Sequence, residues 1–428
     1  MIAFIQTSTP VVDSFPVALT PIHGKPILAW QLESLARNGI GNVLIAHDKN
    51  DRRVPEFVGD GKKYGLSVRY IEEGNLGTCG AFYYAVKTIK EDFLFLEGDV
   101  LLDIDFERLL KFHRKAGAAI TALARPSVHT DAENILIRDP KNKALHVLAK
   151  NEPREIFFEN LTPAGIYAVS RDLLLTFQGM GRPVKMDIEE DLFLPSVYAD
   201  AAYVCVTSEY VRRYREEDKE ELEEAVASGV MNARNLSRPQ KAVFLDRDGV
   251  LNVFGDYVVH PDILTLKEDA APALKRLNQS PYIALCVTNQ PIVAMGKTTL
   301  GTLKEVHNKL EDLLAEKGAF LDGLYCCPHF PPQGNPQEIP ELSIECDCRK
   351  PKIGMLLQAK KDWKLDLSAC WFVGDTLQDV QTGINAGCRT ILITTGDPNP
   401  AKKCPDAKPD FTVETLEEAA SIILKDGK

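Results

Sequence analysis

An apolar run that stops abruptly in acid constrains this chain more than any other feature. Val243-Phe-Leu-Asp-Arg-Asp-Gly-Val-Leu-Asn reads as a buried strand followed by two carboxylates one residue apart and then a glycine. In open α/β sheets ligands sit beyond the carboxyl ends of the strands. Asp246 and Asp248 are therefore placed to project into a site, with Gly249 permitting the sharp turn. Two neighbouring acids need a cation, and a hard divalent ion such as Mg2+ suits oxygen ligands. Asp375, in Phe372-Val-Gly-Asp-Thr-Leu-Gln-Asp, closes another apolar strand and supplies a further carboxylate to the same metal. Thr288, at the end of Ile283-Ala-Leu-Cys-Val-Thr, is placed to donate to a phosphate oxygen. Lys350 supplies the positive charge that phosphoryl transfer requires.

The rest of the chain must supply the sheet and its helices. At 428 residues it is too long for one ordinary core, so two or three domains are expected. Apolar runs at 42–46, 66–71, 92–97, 118–124 and 161–170 alternate with helical patterns at 27–38, 82–89 and 106–115. A second alternation has strands at 241–245, 283–288, 323–327, 370–373 and 390–394, and helices near 270–278, 300–316, 354–361 and 378–386. Such alternation predicts two doubly wound α/β domains with mainly parallel sheets. Between them, 208–229 is dense in Glu, Arg and Lys and reads as a solvated helix, followed by a polar linker. The expected division is 1–207, 208–240 and 241–428.

Net charge is −11 with no long basic run, which argues against nucleic acid as a partner. No apolar run approaches the ~20 residues of a membrane span. The short apolar start reads as a first strand rather than a signal peptide. Most of the 10 cysteines lie in apolar elements, as small buried hydrophobes in a reducing cytoplasm. Four residues stand apart: Cys327 and His329, then Cys346 and Cys348. Three thiols and an imidazole in two tight pairs match a structural, four-coordinate Zn2+ site. It would give order to the irregular stretch from Pro328 to Pro351.

The ordered motifs Asp-x-Asp-Gly at 246–249, Thr-Asn-Gln at 288–290, Lys350 and Gly-Asp-x-x-x-Asp at 374–379 resemble the haloacid dehalogenase superfamily of phosphotransferases. The resemblance implies that Asp246 attacks phosphorus and becomes phosphorylated. It implies that Asp248 protonates the leaving alkoxide and then activates water, and that Asp375 holds Mg2+ with support from Asp379. Cys-Pro-His followed by Cys-Asp-Cys-Arg-Lys-Pro is similar to the histidinol-phosphate and heptose-bisphosphate phosphatase branch. That branch implies substrate contacts from Asn252, Asn289, Gln290 and Arg349, and an open pocket for a phosphorylated sugar.

Leu19-Thr-Pro-Ile-His-Gly-Lys-Pro, Asn75-Leu-Gly-Thr-Cys-Gly-Ala, Phe95-Leu-Glu-Gly-Asp and Pro163-Ala-Gly-Ile-Tyr-Ala-Val resemble the sugar-phosphate nucleotidyltransferases. The resemblance implies that Lys25 meets phosphates, Gly77 and Gly80 line the nucleotide and sugar site, Asp99 binds Mg2+ and Gly165 approaches the sugar. Two pieces depart from that family. Gln6-Thr-Ser-Thr-Pro-Val-Val-Asp-Ser-Phe-Pro lacks the Gly and Arg of a triphosphate cradle, and its prolines remove donors. Tyr203-Val-Cys-Val-Thr-Ser, aligned with a metal-binding Asp-x-Gly-Thr, has no Asp. The expectation is a heptose 1,7-bisphosphate 7-phosphatase joined to a weak or inactive nucleotidyltransferase. The alternatives are a bifunctional enzyme making a nucleotide-heptose, a histidinol-phosphate phosphatase, and, for the first domain, a sugar-nucleotide sensor or a module for homo-oligomerisation.

Overall fold

The computed structural model describes all residues except 13–14, 131, 151, 153–156 and 427–428, with the Asp426 side chain also outside the description. The chain divides into two compact units. One comprises Met1–Arg125, Asn134–Ala149 and Leu161–Ser237; the other comprises Pro126–Glu133, Lys150–Asn160 and Arg238–Lys428.

The first unit is built on a seven-stranded sheet. Its strands are β1 (Ile2–Gln6), β2 (Asn42–Asp48), β3 (Ser67–Glu73), β4 (Phe93–Glu97), β6 (Ile120–Pro126), β7 (Leu161–Val169) and β8 (Ala202–Val206), in spatial order β8-β6-β7-β4-β1-β2-β3. β1 pairs parallel with β2 and β4, whereas β7 runs antiparallel to β4. β1, β4 and β7 are buried along their whole length, as expected of strands covered on both faces. Helices α1 (Ile27–Arg37) and α2 (Phe106–Ala116) present Leu28, Leu32, Leu35, Leu109 and Leu110 to one core. A separate ribbon pairs β5 (Val100–Asp103) with β9 (Tyr210–Arg213) antiparallel.

This ribbon corrects the reading of 208–229 as one solvated helix. Tyr210 and Val211 are buried and strand-paired, and helix α3 begins only at Lys219 and ends at Ala227. The flanking charges obscured a two-residue apolar pair whose burial favours the ribbon over the helix.

The second unit carries a six-stranded sheet ordered β12-β11-β10-β13-β14-β15. The strands are β10 (Lys241–Leu245), β11 (Tyr282–Asn289), β12 (Gly323–Cys327), β13 (Trp371–Gly374), β14 (Arg389–Ile393) and β15 (Phe411–Val413), and every pair is parallel. Helices α4 (Ala270–Asn278), α5 (Leu300–Ala315), α6 (Gly354–Trp363), α7 (Leu377–Ala386) and α8 (Leu416–Asp426) accompany it. β10 lies between β11 and β13, so the carboxyl ends of three central strands converge where the order reverses. Among the described residues no helix is long and apolar enough to cross a membrane.

Candidate active site and metal centres

Backbone pairing sets the first acid. The Asp246 amide donates to the Val373 carbonyl at 3.0 Å, so the chain is still in register with β13 as it leaves β10. Asp375 follows β13 directly, and Asp379 lies one turn into α7. Thr376 caps that helix through a capping box with Asp379. Ligand atoms of Asp246, Asp375 and Asp379 all fall within 4.8 Å of one another.

Glycines make this crowding possible. A Cβ on Gly249, whose φ is +75°, would lie 1.9 Å from Asp375 Oδ2. A Cβ on Gly374 would lie 2.2 Å from Asp379 Cβ, and one on Gly396 would lie 2.3 Å from Asp375 Cβ.

Lys350 is the cation of the group. Its buried Nζ lies 2.9 Å from Asp246 Oδ2 and 2.6 Å from Asp379 Oδ1, and it donates to the Val287 carbonyl at 3.0 Å. Burial alone would lower its pKa, but Asp246 and Asp379 outweigh burial and hold it above the ordinary lysine value. One lysine does not balance three acids. Burial pushes the Asp246 carboxyl up to about 7 against the opposing Lys350, with Asp379 and Asp248 adding repulsion. Burial together with Asp246 and Asp379 pushes Asp375 up to about 8. Three clustered carboxylate groups, two of them buried and Asp246 partly so, with uncompensated charge are a hard-oxygen donor set, and a divalent cation such as Mg2+ fits it.

Asp248 is placed differently from its expected role as a metal ligand. Its carboxylate is outside the acidic group. It accepts from Arg247 at 2.8, 3.0 and 3.1 Å and from the Gln290 amide at 2.7 Å. Burial opposes ionisation, but the Arg247 charge and these hydrogen bonds hold Asp248 below the usual carboxylate range. Arg247, fully buried, is a site residue that the sequence reading passed over although it sits inside the motif. Its other guanidinium nitrogen, Nη1, is buried without a hydrogen-bond partner.

Of the remaining expected residues, Gln290 and Asn289 bond directly to Asp248 and Lys350, whereas Arg349 is tied to the loop of the second cluster. Gln290 also donates to Thr288 Oγ1 at 2.9 Å. Asn289 and Lys350 are joined by two hydrogen bonds, from the Asn289 amide to the Lys350 carbonyl at 3.2 Å and from the Lys350 amide to Asn289 Oδ1 at 3.0 Å. The buried Asn252 donates to the Val253 carbonyl at 3.0 Å, and its Oδ1 has no partner. Arg349 donates to the His329 carbonyl at 3.1 Å and stacks over Phe330 with its guanidinium carbon 4.7 Å from the ring centre.

The second cluster lies just before Lys350 in the chain. Cys348 Sγ is 3.2 Å from Cys327 Sγ, 3.3 Å from Cys346 Sγ and 3.2 Å from His329 Nδ1, and Cys327 Sγ is 3.6 Å from Cys346 Sγ. All four residues' ligand atoms lie within 4.8 Å, and the cysteines are free thiols. A tetrahedral zinc with ~2.3 Å bonds to sulfur has ligand–ligand edges of about 3.8 Å, so this donor set fits such an ion.

In the first unit the expected positions are occupied by contacts within the chain. Lys25 donates to Glu33 at 2.7 Å and lies over Trp30. Gly77 and Gly80 lie against the chain's own backbone. A Cβ on Gly77 would lie 2.4 Å from the Met186 carbonyl oxygen, and one on Gly80 would lie 2.3 Å from that of Val184. Met186 and the Leu76–Cys79 turn exchange backbone hydrogen bonds of 2.9 and 3.1 Å. Asp99 is buried, and Gly165 faces Val100 and Arg213.

The chain matches the family model of HAD-hydrolase-like proteins over residues 347–419 and that of nucleotidyl transferases over residues 9–167. It is 34% identical over 194 residues to D-glycero-beta-D-manno-heptose-1,7-bisphosphate 7-phosphatase of Salmonella typhi, covering 45% of this chain and 100% of that protein. It is 41% identical over 160 residues to the protein of the same name from Haemophilus ducreyi, covering 37% of this chain and 85% of that protein. Among solved structures, the D,D-heptose 1,7-bisphosphate phosphatase of B. bronchiseptica, complexed with magnesium and phosphate, is 32% identical. That match has a TM-score of 0.38 and covers 44% of this chain and 99% of that one.

Proposed function

The chain belongs, through its C-terminal half, to the haloacid dehalogenase-like phosphatases of the heptose-bisphosphate branch, and from that premise we propose that it removes the 7-phosphate of D-glycero-D-manno-heptose 1,7-bisphosphate. The class of reaction is phosphoric monoester hydrolysis. The observation that carries the proposal is the Asp246 carboxylate held at the end of β10, 2.9 Å from the Lys350 ammonium and beside Asp375 and Asp379. The name shared by the relatives supports the sugar.

In this reading Asp246 attacks phosphorus, the bond to the sugar oxygen breaks, and an aspartyl phosphate forms on Asp246. Asp248, which Arg247 holds ionised in the free site, first gains a proton as the phosphate monoester binds; it then gives that proton to the departing alkoxide and later takes one from the water that hydrolyses the acyl phosphate. Arg247 and Gln290 hold Asp248 on the side where the leaving oxygen departs. Lys350 and the Thr288 hydroxyl face the developing charge on the phosphoryl oxygens, an arrangement that does not need to reorganise in the transition state. Asp246 and Asp375, with Asp379 behind them, would hold Mg2+, which when bound supplies charge neutralisation to the phosphoryl group. Arg349, Asn252 and Asn289 complete the substrate side, and the Cys327–His329–Cys346–Cys348 set would hold a structural Zn2+.

The first unit has the nucleotidyltransferase fold, and we read it as weak or inactive in transfer. Loss of the glycine-rich cradle in Gln6–Pro16 supports this reading. The test is phosphate release by the full chain with Mg2+. Heptose bisphosphate is expected to be turned over and Asp246→Asn to abolish turnover; rapid release from histidinol phosphate alone would overturn the substrate.

A further inference from the structure

An ionic group occupies the first unit where β4, β5 and β9 meet, with Asp99 Oδ1 buried in it without a hydrogen-bond partner. Glu97 ends β4, Asp99 precedes β5, Arg213 ends β9, and Glu189 lies on the helical segment Ile188–Phe193. The guanidinium of Arg213 donates to both oxygens of Glu97, at 2.6 and 2.7 Å. Its Nη2 is also 3.4 Å from Glu189 Oε1, and its Nη1 is 3.9 Å from Asp99 Oδ2. Glu189 is held in turn by the Tyr167 hydroxyl at 3.1 Å and the Asn134 amide at 2.6 Å.

The arrangement is built by the backbone rather than by a loose surface pairing. The β5–β9 register sets Arg213 opposite Val100, one residue after Asp99, and the Tyr214 amide donates to the Asp99 carbonyl at 2.8 Å. Gly165 makes room for the cation: a Cβ there would lie 2.8 Å from Val100 Cγ2 and 3.4 Å from Arg213 Nη2.

A divalent ion at Asp99 does not fit this geometry. Mg2+ needs several oxygens at ~2.1 Å from one point. Among the described residues, the groups of three or more converging ligands are the two in the second unit, and Asp99 belongs to neither. The neighbouring phosphate position is equally closed. The Gln6 amide, at the end of β1, donates to Glu73 Oε1 at 2.9 Å and to the Gly77 carbonyl at 2.8 Å. Ser8 also bonds Glu73, leaving an anion where phosphates would need donors.

We propose that Arg213 stands in for the divalent cation of the first unit, so that Asp99 recruits no metal and this unit transfers no nucleotidyl group. The proposal rests on the reading of the first unit as a weak or inactive nucleotidyltransferase and names the residue responsible. A fixed guanidinium can neutralise the acids and hold the ribbon to the sheet, but it has no open coordination positions with which to bridge two phosphates.

The test is Mn2+ binding to the full-length, zinc-loaded chain, followed by calorimetry and by electron paramagnetic resonance. Pyrophosphate release from a nucleoside triphosphate and a sugar 1-phosphate is measured in parallel. The expected result is one Mn2+ site per chain, lost in Asp375→Asn and retained in Asp99→Asn, with pyrophosphate release at background. In a folded Arg213→Ala chain a second Mn2+-binding event is expected, because Glu97, Asp99 and Glu189, freed from the guanidinium, can then turn toward one ion; its absence would count against the substitution role. A second site in the unaltered chain that disappears in Asp99→Asn, or pyrophosphate release that this change lowers at least tenfold, would overturn the proposal. A chain that binds no Mn2+ at all would support the role of Arg213 while contradicting the phosphatase reading, so the two failures are separable.

Discussion

At the residue scale, Lys350 and Asp246 are held as one ionic unit, and Lys350 also bonds Asp379. Replacing Lys350 by Met removes the cation and leaves three crowded acids. The expected result is a fall in kcat of at least about 10²-fold, the scale on which a preorganised charge acts, measured by phosphate release. Gly249→Ala is expected to be nearly as damaging. It strains a residue at φ +75° and drives a methyl into Asp375, a backbone strain of about 1–2 kcal/mol in addition to displacement of the acid. His307 offers a test by pH. Burial first, and then the nearby Arg247, hold its imidazole down at about 3, against the attraction of Asp248. The unfolded chain takes up a proton near the ordinary histidine value of ~6.5, whereas the folded chain does not. This contribution to stability is therefore complete above pH ~6.5 and is lost as pH falls toward 3. Between pH 6.5 and 5 it amounts to about 2 kcal/mol. Urea midpoints at pH 7 and pH 5 are expected to differ less in His307→Gln than in the unaltered chain.

At the scale of elements, the proposed zinc loop and Lys350 adjoin in the chain, and we read them as one device. Cys348 is two residues before Lys350, and Arg349 between them bonds the His329 carbonyl. Cys348→Ser is expected to lose zinc, measured by elemental analysis, and to lower kcat more than it raises KM, because Lys350 loses its anchor rather than the pocket its contacts. Retained zinc, or full activity without it, would contradict this coupling. The same scale shows what the sequence made legible. Parallel strands buried on both faces read as continuous apolar runs, so β10, β11 and β13, with Asp246, Thr288 and Asp375 at their ends, are visible from periodicity and spacing. The ribbon strand β9 was not, because Tyr210 and Val211 lie among charges whose spacing imitates a solvated helix. The resemblance implies that Gly77 and Gly80 line a nucleotide and sugar site, but what lies against them is the chain's own 184–186 segment, a long-range contact that spacing does not encode.

At the scale of the whole molecule, the chain carries two α/β units, and only one assembles converging groups of metal ligands among the described residues. The departures of the first unit were readable as missing residues, a cradle without glycine and an absent Asp. The residue that takes the cation's place was not, since Arg213 reaches Asp99 only through the pairing of β9 with β5. We propose Asp246 as the nucleophile and a phosphorylated heptose as the substrate. The measurement that tests this most directly is phosphate release by the full-length protein with Mg2+, comparing D-glycero-D-manno-heptose 1,7-bisphosphate in both anomers with histidinol phosphate, for the unaltered chain and Asp246→Asn. Efficient release from the heptose at a single phosphate, abolished by Asp246→Asn, is the expected result. Release that survives Asp246→Asn, or release from histidinol phosphate with none from either heptose anomer, would contradict the proposal.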